Sequence, residues 1–265
     1  MLKYNSHVKI ACSFPGIPVI FLHAFPVDHR MWRPQFEFLM KKNVPYIAFD
    51  YPGFGESKIL NDNMTIFDYG EIANGIIRNL NISKAVFVGL SMGGYVALNI
   101  YRKYPEIFAG LVLANTRAAA DTDQIRENRF RLIKELKEKN DLKPIIDFHL
   151  KKFFTTDTRE KNCDLMAEVE MYMKKSSIEG VITALKAMAH RPDSEELLPE
   201  LPFPVKVIAG EKDELTTVEE AQRIASLLKK GSLSLIPGAA HLSNMEQPEK
   251  FNQVLAEYLN ELNIN

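Results

Sequence analysis

The sequence predicts an α/β fold with a mostly parallel β-sheet that helices cover on both faces. Short apolar runs rich in Val, Ile and Phe recur along the chain, most of them too short to be helices, and helical segments lie between them. Such alternation is typical of parallel sheets in α/β proteins. The expected strands are His7–Ser13, Pro18–Leu22, Val44–Phe49, Ala85–Gly89, Leu111–Ala114, Val205–Ala209 and Leu233–Ile236.

A turn and two amphipathic helices accompany these runs. Residues 14–18, Phe-Pro-Gly-Ile-Pro, have the composition of a turn and are expected to close an N-terminal hairpin. Apolar side chains repeat on one helical face over residues 66–80 and again over residues 251–262. Ligands of such sheets bind at the carboxyl ends of the strands. The loops expected at that edge are those after Leu22, Phe49, Ala209 and Ile236.

From Ala118 to Leu198 the alternation stops, and the chain is expected to be helical. The expected helices span residues 121–140, 143–154, 159–174 and 176–189. Methionine and aromatic side chains at helical spacing are usually core residues, so these helices need a partner surface. We therefore predict a core of residues 1–117 and 199–265 and a helical cap of residues 118–198 that lies as a lid over the carboxyl edge of the sheet.

Composition and charge exclude several classes of protein. With 46% hydrophobic and 25% charged residues the chain is ordinary for a globular protein, and a net charge of −1 argues against a nucleic acid partner. The first residues lack the apolar core of a signal peptide, and no apolar run approaches the length of a membrane span. Cys12 and Cys163 show no metal or redox spacing and are expected to be reduced thiols. We therefore expect a cytoplasmic protein.

Ser91 lies where an apolar strand turns into a helix, within Gly89-Leu-Ser-Met-Gly93. A tight turn of this kind strains the backbone of its central residue and leaves room only for glycine at positions 89 and 93. The serine hydroxyl is then exposed above the first amides of the helix. Ser91 is therefore predicted to be a catalytic nucleophile, and the alternative is a glycine-rich turn with an exposed serine.

Two later loops supply partners for this serine. A serine hydroxyl needs a base to remove its proton, usually a histidine that a carboxylate holds in one tautomer. His241 follows the last apolar run, and Asp213 follows the run that ends at Ala209, so both are expected at the edge where Ser91 lies. Glu211 is a rival for the acidic position.

Together these motifs resemble those of the α/β-hydrolase family, whose triad runs Ser, then Asp or Glu, then His along the chain. The resemblance covers nearly all 265 residues. It implies a sheet of about eight strands flanked by helices, with the helical cap inserted after the sixth strand, Leu111–Ala114. The motifs that carry it are the serine turn, His23-Ala-Phe-Pro26, residues 50–57, Gly210-Glu-Lys-Asp213, and Gly238-Ala-Ala-His241 with Glu246-Gln-Pro248.

The resemblance also implies roles for further residues. The family pattern Gly-x-x-Asp favours Asp213 over Glu211, and the chain offers no carboxylate after the sixth strand, where some relatives place the acid. The oxyanion hole should consist of the backbone N–H groups of Met92 and Phe25, and Phe25 should also form part of the substrate pocket.

The remaining candidates are expected to be structural. His23 should hold its loop in place, and Asp50 should brace the turn at residues 53–55. The other histidines lack the spacing of metal ligands, and neither a dinucleotide-binding nor a phosphate-binding glycine motif occurs. We therefore expect chemistry that needs neither a metal nor a cofactor.

The implied reaction is acyl transfer to Ser91 from a small carboxylic ester or lactone, with His241 as general base and Asp213 orienting it. Residues 115–118, 187–194 and 241–248 look like those of 3-oxoadipate enol-lactonases and related carboxylesterases. A small-ester carboxylesterase is the first interpretation and an enol-lactonase the second.

Further alternatives concern charged residues and partners. Arg117 and Arg191, near the two ends of the cap, could bind a substrate carboxylate or anchor the cap to the core. A pimeloyl-carrier-protein methyl ester esterase would need a basic rim for its acyl carrier protein, to which Lys143, Lys151 and Lys152 could contribute. A non-catalytic binding module usually lacks a triad member, whereas this chain has all three. The sequence leaves the substrate and the oligomeric state open.

Overall fold

The computed structural model describes residues 8–11 and 15–264. The strands are β1 Val8–Ala11, β2 Val19–Leu22, β3 Tyr46–Phe49, β4 Ala85–Leu90, β5 Phe108–Ala114, β6 Val205–Gly210 and β7 Gly231–Ile236. They form one seven-stranded sheet in the order β1-β3-β2-β4-β5-β6-β7. β1 is antiparallel to β3, and every other neighbouring pair is parallel. The expected mostly parallel sheet is confirmed.

Two details of the sheet differ from expectation. Seven strands are described instead of about eight, and each of them corresponds to one apolar run of the sequence, whereas the eighth was implied by resemblance alone. The expected N-terminal hairpin is wrong: β1 pairs with β3, with Val8 opposite Phe49, so β3 separates β1 from β2. The outer edge of β3 thereby gains backbone partners in β1. Phe14, the first residue of the expected turn, lies outside the described residues.

Helices connect the strands and cover the sheet. They are α1 Arg33–Lys41, α2 Ile66–Asn79, α3 Met92–Lys103, α4 Asp123–Lys139, α5 Lys143–Phe153, α6 Thr156–Lys161, α7 Cys163–Lys174, α8 Ile178–Ala189, α9 Val218–Leu227, α10 Ser243–Glu246 and α11 Pro248–Glu261. Among the described helices, none is both long enough and apolar enough to cross a membrane.

Side chains alternate along the strands and build an apolar layer on each face of the sheet. On one face, Ile20 and Leu22 of β2 belong to a core with residues of α2, α3 and α9. On the other face, Val19 and Phe21 belong to a core with residues of α1 and α11. The sheet is therefore covered on both sides, as the alternation of strands and helices predicted.

Residues 115–204, between β5 and β6, contain the five helices α4 to α8 and no strand. One expected helix, residues 159–174, is interrupted because the side chain of Asn162 accepts a hydrogen bond from the N–H of Leu165 and starts α7 as its N-cap. Val181 and Leu185 of α8 belong to the same core as Ile20 and Leu22 of β2. The cap helices thus pack on the sheet domain, and the division at residues 118 and 198 stays a prediction.

Candidate active site

Ser91 forms the turn between β4 and α3. Its φ of 55° and ψ of −115° lie in a region that residues other than glycine rarely adopt. A Cβ atom at Gly89 would lie 2.4 Å from the carbonyl oxygen of Gly93, and one at Gly93 would lie 2.0 Å from that of Leu22. Only glycine fits at these two positions, which is the physical reason for the sequence pattern around Ser91.

Hydrogen bonds from neighbouring elements hold this strained turn. The N–H of Ser91 donates to the carbonyl of Ala114 at the end of β5, at 3.0 Å. Its own carbonyl accepts from the hydroxyl of Thr116 at 2.7 Å and from the N–H of Gly94 at 2.9 Å. The backbone of Ser91 is thereby fixed at the carboxyl ends of β4 and β5.

His241 and Asp213 meet at the same edge of the sheet. The ring Nδ1 of His241 lies 2.8 Å from Oδ2 of Asp213, and both side chains are almost fully buried. Burial alone would raise the pKa of Asp213, but the attraction of His241 and the hydrogen bonds that the carboxylate accepts lower it to about 2. Because a carboxylate accepts only, Nδ1 carries the hydrogen, and Nε2 of His241 is left as a base.

The carboxylate of Asp213 accepts further hydrogen bonds that fix its orientation. Oδ1 accepts from the N–H groups of Leu215 and Thr216 at 2.8 and 3.1 Å. Oδ2 accepts from the Thr216 hydroxyl at 2.7 Å and from the side-chain amide of Asn115 at 2.8 Å. Asn115 follows β5 and also accepts from the hydroxyl of Ser243. The sequence analysis gave Asn115 no role of its own in the site, although a polar residue directly after a buried strand was a usable signal.

The cap supports the histidine loop directly. The ring of Phe153, at the end of α5, stacks on that of His241 with centroids 5.6 Å apart. Glu246 links the two segments, because one carboxylate oxygen accepts from the N–H of Ala240 at 2.6 Å and the other from the N–H of Thr155 at 2.8 Å. The position of His241 therefore depends on contacts with the cap as well as with the sheet domain.

A cavity of about 420 Å³ lies between the cap and the carboxyl edge of the sheet. Ser91 and His241 both line it, together with Phe25 from the loop after β2. Residues of α4, α5 and α8 form the opposite wall, most of them apolar. The cavity thus brings two of the predicted triad residues and one predicted oxyanion residue to a common space.

The second predicted oxyanion donor is Met92, the first residue of α3. The first four N–H groups of an α-helix have no acceptor within the helix, so the N–H of Met92 is available to a ligand beside Ser91. Phe25 is 5% exposed and packs edge-on against Phe54 and His149. The aromatic contacts hold the loop that carries the Phe25 amide against the cavity.

The two predicted substrate-binding arginines lie in different surroundings. Arg117 lines the cavity, but its guanidinium donates to the carbonyl of Leu215 and pairs with Glu220 at 3.0 Å. Arg191 is buried, donates to Asp121 and to the carbonyl of Ala119, and is not among the residues that line the cavity. The bonds of Arg117 thus join two segments of the predicted core, and those of Arg191 stay within the predicted cap. The guanidinium of Arg191 also lies over the ring of Tyr95 in α3, 4.1 Å from its centroid, and the roles of both arginines stay predictions.

His23 and Asp50 make the structural contacts expected of them. Nε2 of His23 accepts from the N–H of Tyr51 at 3.1 Å, and burial lowers the pKa of His23. The carboxylate of Asp50 accepts from the N–H of Glu56 at 3.2 Å and contacts Nδ1 of His29 at 2.7 Å. Both side chains thereby link the segment after β2, which contains His23 and His29, to the turn that follows β3.

Asp28, His29 and Asp50 form a buried group whose ligand atoms lie within 4.8 Å of one another. The guanidinium of Arg30 contacts the carboxylate of Asp28 at 2.6 Å, and the ring of His29 is hydrogen-bonded to the carboxylate of Asp50. A guanidinium beside one carboxylate supplies the positive charge that a metal ion would otherwise bring. The group therefore fits an internal ion-pair cluster better than a metal site.

Cys163 and the lysines of the expected basic rim do not line the cavity that contains Ser91. Cys163 is exposed and free, and Cys12 lies outside the described residues. Lys143 pairs with Asp147 one turn along its own helix, and Lys152 pairs with Glu214. Two of the three lysines of the expected rim are therefore paired with carboxylates.

Comparison with known proteins places the chain among relatives of this architecture. A family profile described as alpha/beta hydrolase fold matches residues 17–248. The chain is 30% identical over 241 residues to 3-oxoadipate enol-lactonase 1 of Acinetobacter baylyi. The alignment covers 91% of this chain and 88% of that protein. The expected resemblance to enol-lactonases is thereby confirmed.

Solved structures of other proteins share the fold of this chain over nearly its whole length. A thermophilic esterase of Thermogutta terrifontis with malate bound has a TM-score of 0.92 and 32% identity, covering 97% of this chain and 93% of that one. The enol-lactonase of Burkholderia xenovorans LB400 shares the fold, with a TM-score of 0.88 and 22% identity over 96% of both chains. The sheet order, the strained serine turn and the match over residues 17–248 lead to one conclusion. The chain belongs to the α/β-hydrolase family.

Proposed function

We propose that the protein hydrolyses small carboxylic esters or lactones through an acyl-enzyme on Ser91. The observation that carries this proposal is the 2.8 Å contact between Asp213 and His241 beside a cavity that His241 shares with Ser91. A serine on a strained turn, a histidine held in one tautomer and an ionised carboxylate are the groups that acyl transfer requires.

In the first half of the reaction, the hydroxyl oxygen of Ser91 attacks the ester carbonyl while Nε2 of His241 takes its proton. The negative charge that develops on the carbonyl oxygen is stabilised by the N–H groups of Met92 and Phe25. Collapse of the tetrahedral intermediate breaks the bond to the alcohol oxygen, which takes the proton from His241. For a lactone, the alcohol stays attached to the acyl group.

In the second half, water takes the place of the serine hydroxyl. His241 removes a proton from the water, whose oxygen attacks the acyl carbonyl, and the proton then returns to the oxygen of Ser91 as the acid leaves. Asp213 stays ionised throughout and stabilises the positively charged imidazole. No step needs a metal ion or a redox cofactor.

The size and lining of the cavity support a small substrate. A volume of about 420 Å³ is near the lower end of the range typical of small-molecule pockets. Its apolar side chains, including Leu132, Leu185 and Met188, suit an alkyl or ring portion of an acyl group.

A fluorophosphonate probe tests the proposal. We expect the probe to label the folded protein at Ser91, and Ser91→Ala to abolish both labelling and turnover of p-nitrophenyl acetate. Ser226→Ala, on the exposed side of α9, is the matched control and should change neither. Labelling that survives Ser91→Ala, or folded protein that is neither labelled nor active, would contradict the proposal and favour a binding module.

A second candidate is hydrolysis of 3-oxoadipate enol-lactone, which carries a carboxylate. One observation favours it: the single carboxylate of Asp121 is shared by the guanidinium groups of Arg129 and Arg191, and Arg129 lines the cavity. This group has one positive charge in excess, which suits an anionic substrate. The relative of Acinetobacter baylyi that carries this activity in its name supports the same candidate.

Substitution of Arg129 tests this candidate. Arg129→Gln is expected to raise KM for the enol-lactone by about tenfold or more and to leave KM for an uncharged ester nearly unchanged, since one charge-assisted contact contributes about 1.5–3 kcal/mol. Arg126→Gln, on the same helix but paired with the exposed Asp123, should alter neither. Equal effects on charged and uncharged substrates would reject the candidate.

A further inference from the structure

His149 of α5 is a polar side chain in the cavity wall that neither half of the proposed reaction uses. It is 8% exposed and lines the cavity together with Ser91 and His241. Sequence reasoning considered it only as a metal ligand, because helical periodicity alone does not indicate which face of a cap helix points to the cavity.

One ring nitrogen of His149 is occupied within its own helix. Nδ1 lies 2.8 Å from the carbonyl oxygen of Ile145, one turn earlier. A carbonyl oxygen accepts but cannot donate, so Nδ1 carries the hydrogen. Burial, together with the nearby positive charge of Arg129 and of His241 when protonated, lowers the pKa of His149 to about 4, so the ring is neutral at physiological pH. Nε2 is then a hydrogen-bond acceptor.

No residue in the described ranges donates a hydrogen bond to Nε2 of His149. The ring is held in place by edge contacts with Phe25, Phe148 and Phe153, whose centroids lie 5.1 to 5.3 Å from its own. Phe153 in turn stacks on the ring of His241. The acceptor therefore has a fixed position relative to both the histidine loop and the loop that carries Phe25.

We infer that Nε2 of His149 accepts a hydrogen bond from a substrate hydroxyl, so that the enzyme prefers esters or lactones bearing a free hydroxyl group over analogues without one. This inference rests on the proposed hydrolase function. A buried acceptor loses its hydrogen bonds to water when an apolar substrate fills the cavity, whereas a hydroxyl replaces them. Sites built to bind a hydroxyl therefore reject substrates that lack it more strongly than apolar pockets reject an added methylene.

Matched pairs of esters test this preference. Suitable pairs are methyl 2-hydroxypropanoate and methyl propanoate, methyl 3-hydroxybutanoate and methyl butanoate, and 2-hydroxyethyl acetate and ethyl acetate. For wild-type protein we expect kcat/KM to favour the hydroxyl member of at least one pair by about tenfold or more. In His149→Phe, which keeps an aromatic ring but no acceptor, kcat/KM for the hydroxyl member should fall more than kcat/KM for the plain ester, so that the preference approaches unity.

Two variants control this comparison. His149→Gln retains an acceptor oxygen and should recover part of the preference, which a purely structural role of the ring would not explain. His190→Phe replaces an exposed histidine of the cap and should leave the preference unchanged. Equal rates within every pair for the wild type, or a preference that survives in His149→Phe, would overturn the inference.

A spectroscopic measurement is independent of turnover. Long-range ¹H–¹⁵N spectra of histidine-labelled protein should show the His149 ring at pH 7 with hydrogen on Nδ1 and none on Nε2. A ring that carries hydrogen on Nε2 at that pH would overturn the inference whether or not the protein is active. Hydrolysis of plain esters without any hydroxyl preference would reject the role of His149 alone, whereas absence of both labelling and turnover would reject the proposed function.

Discussion

At the scale of single residues, the carboxylate of Asp213 beside His241 is held by hydrogen bonds to both of its oxygens. Asp213 has a pKa of about 2 and remains ionised across the range in which a histidine base can act. Asp213→Asn is expected to lower kcat on a small ester by about 10⁴-fold, because an amide neither balances the imidazolium charge nor favours the required tautomer. Steady-state kinetics on p-nitrophenyl acetate measure this loss.

Glu211, the rival from the sequence, provides the control. Its side chain is half-exposed and accepts from the N–H of Gly238, whereas Asp213 contacts the ring of His241. Glu211→Gln should therefore change kcat by less than about twofold, in the range of surface substitutions. A large loss in Glu211→Gln with little loss in Asp213→Asn would reverse the assignment of the acid.

The residues of the site differ in how far the sequence could locate them. Ser91, Asp213 and His241 follow short motifs at strand ends, so local sequence was enough to propose them, and their roles remain proposals. Asn115 contacts Asp213 across 98 positions of the chain, and no local pattern predicts that contact. The place of His149 depends on how α5 packs over the sheet, which a single sequence does not specify.

At the scale of elements, Glu246 connects the histidine loop to the cap. It is half-buried and accepts from the N–H of Ala240 on one side and from the N–H and hydroxyl of Thr155 on the other. Glu246→Ala leaves the N–H groups of Ala240 and Thr155 without this acceptor and is expected to lower the free energy of unfolding by about 1–3 kcal/mol. Because His241 then loses support, kcat should fall more than KM rises.

Denaturant unfolding and steady-state kinetics check this expectation. Glu249→Ala, an exposed change in the first turn of α11, should alter stability by less than about 0.5 kcal/mol and leave kcat unchanged. Thr155→Val removes one of the three donors and also the side-chain cap of α6, so its effect on kcat, rather than on stability, should be smaller than that of Glu246→Ala. Unchanged kcat in Glu246→Ala would show that the histidine loop holds its position without the cap.

The elements themselves illustrate what local patterns predict. Each apolar run became a strand because a buried strand needs only a few consecutive apolar residues. Pairing is not local: β1 lies beside β3 instead of β2, although a turn sequence separates β1 from β2. The break between α6 and α7 was missed because Asn162 stops the helix with a side-chain cap in a segment whose apolar periodicity continues.

At the scale of the whole molecule, the cap is held on the sheet domain by a close backbone contact as well as by apolar packing. The N–H of Ser177 donates to the carbonyl of Gly53 at 2.8 Å, directly before α8. A Cβ atom at Gly180 would lie 2.6 Å from the Cα of Gly53, so the two backbones touch with no room for a side chain. The same helix supplies Leu185 and Met188 to the cavity wall, so a shift of α8 would move that wall.

Gly180→Ala tests whether the backbone contact with Gly53 holds the cap in place. The substitution has two effects of opposite sign on stability. Alanine favours a helix by about 1 kcal/mol over glycine, but its Cβ would meet backbone atoms that cannot move away unless α8 shifts. We expect the steric effect to dominate, with faster proteolysis within residues 118–198 and a raised KM for small esters. Gly70→Ala in α2 is the matched control, since its Cβ would meet the side chain of Ile100 at 3.3 Å, which can adjust. If both variants behave alike, the cap does not depend on the glycine contact, and the packing of its apolar residues alone must hold it over Ser91.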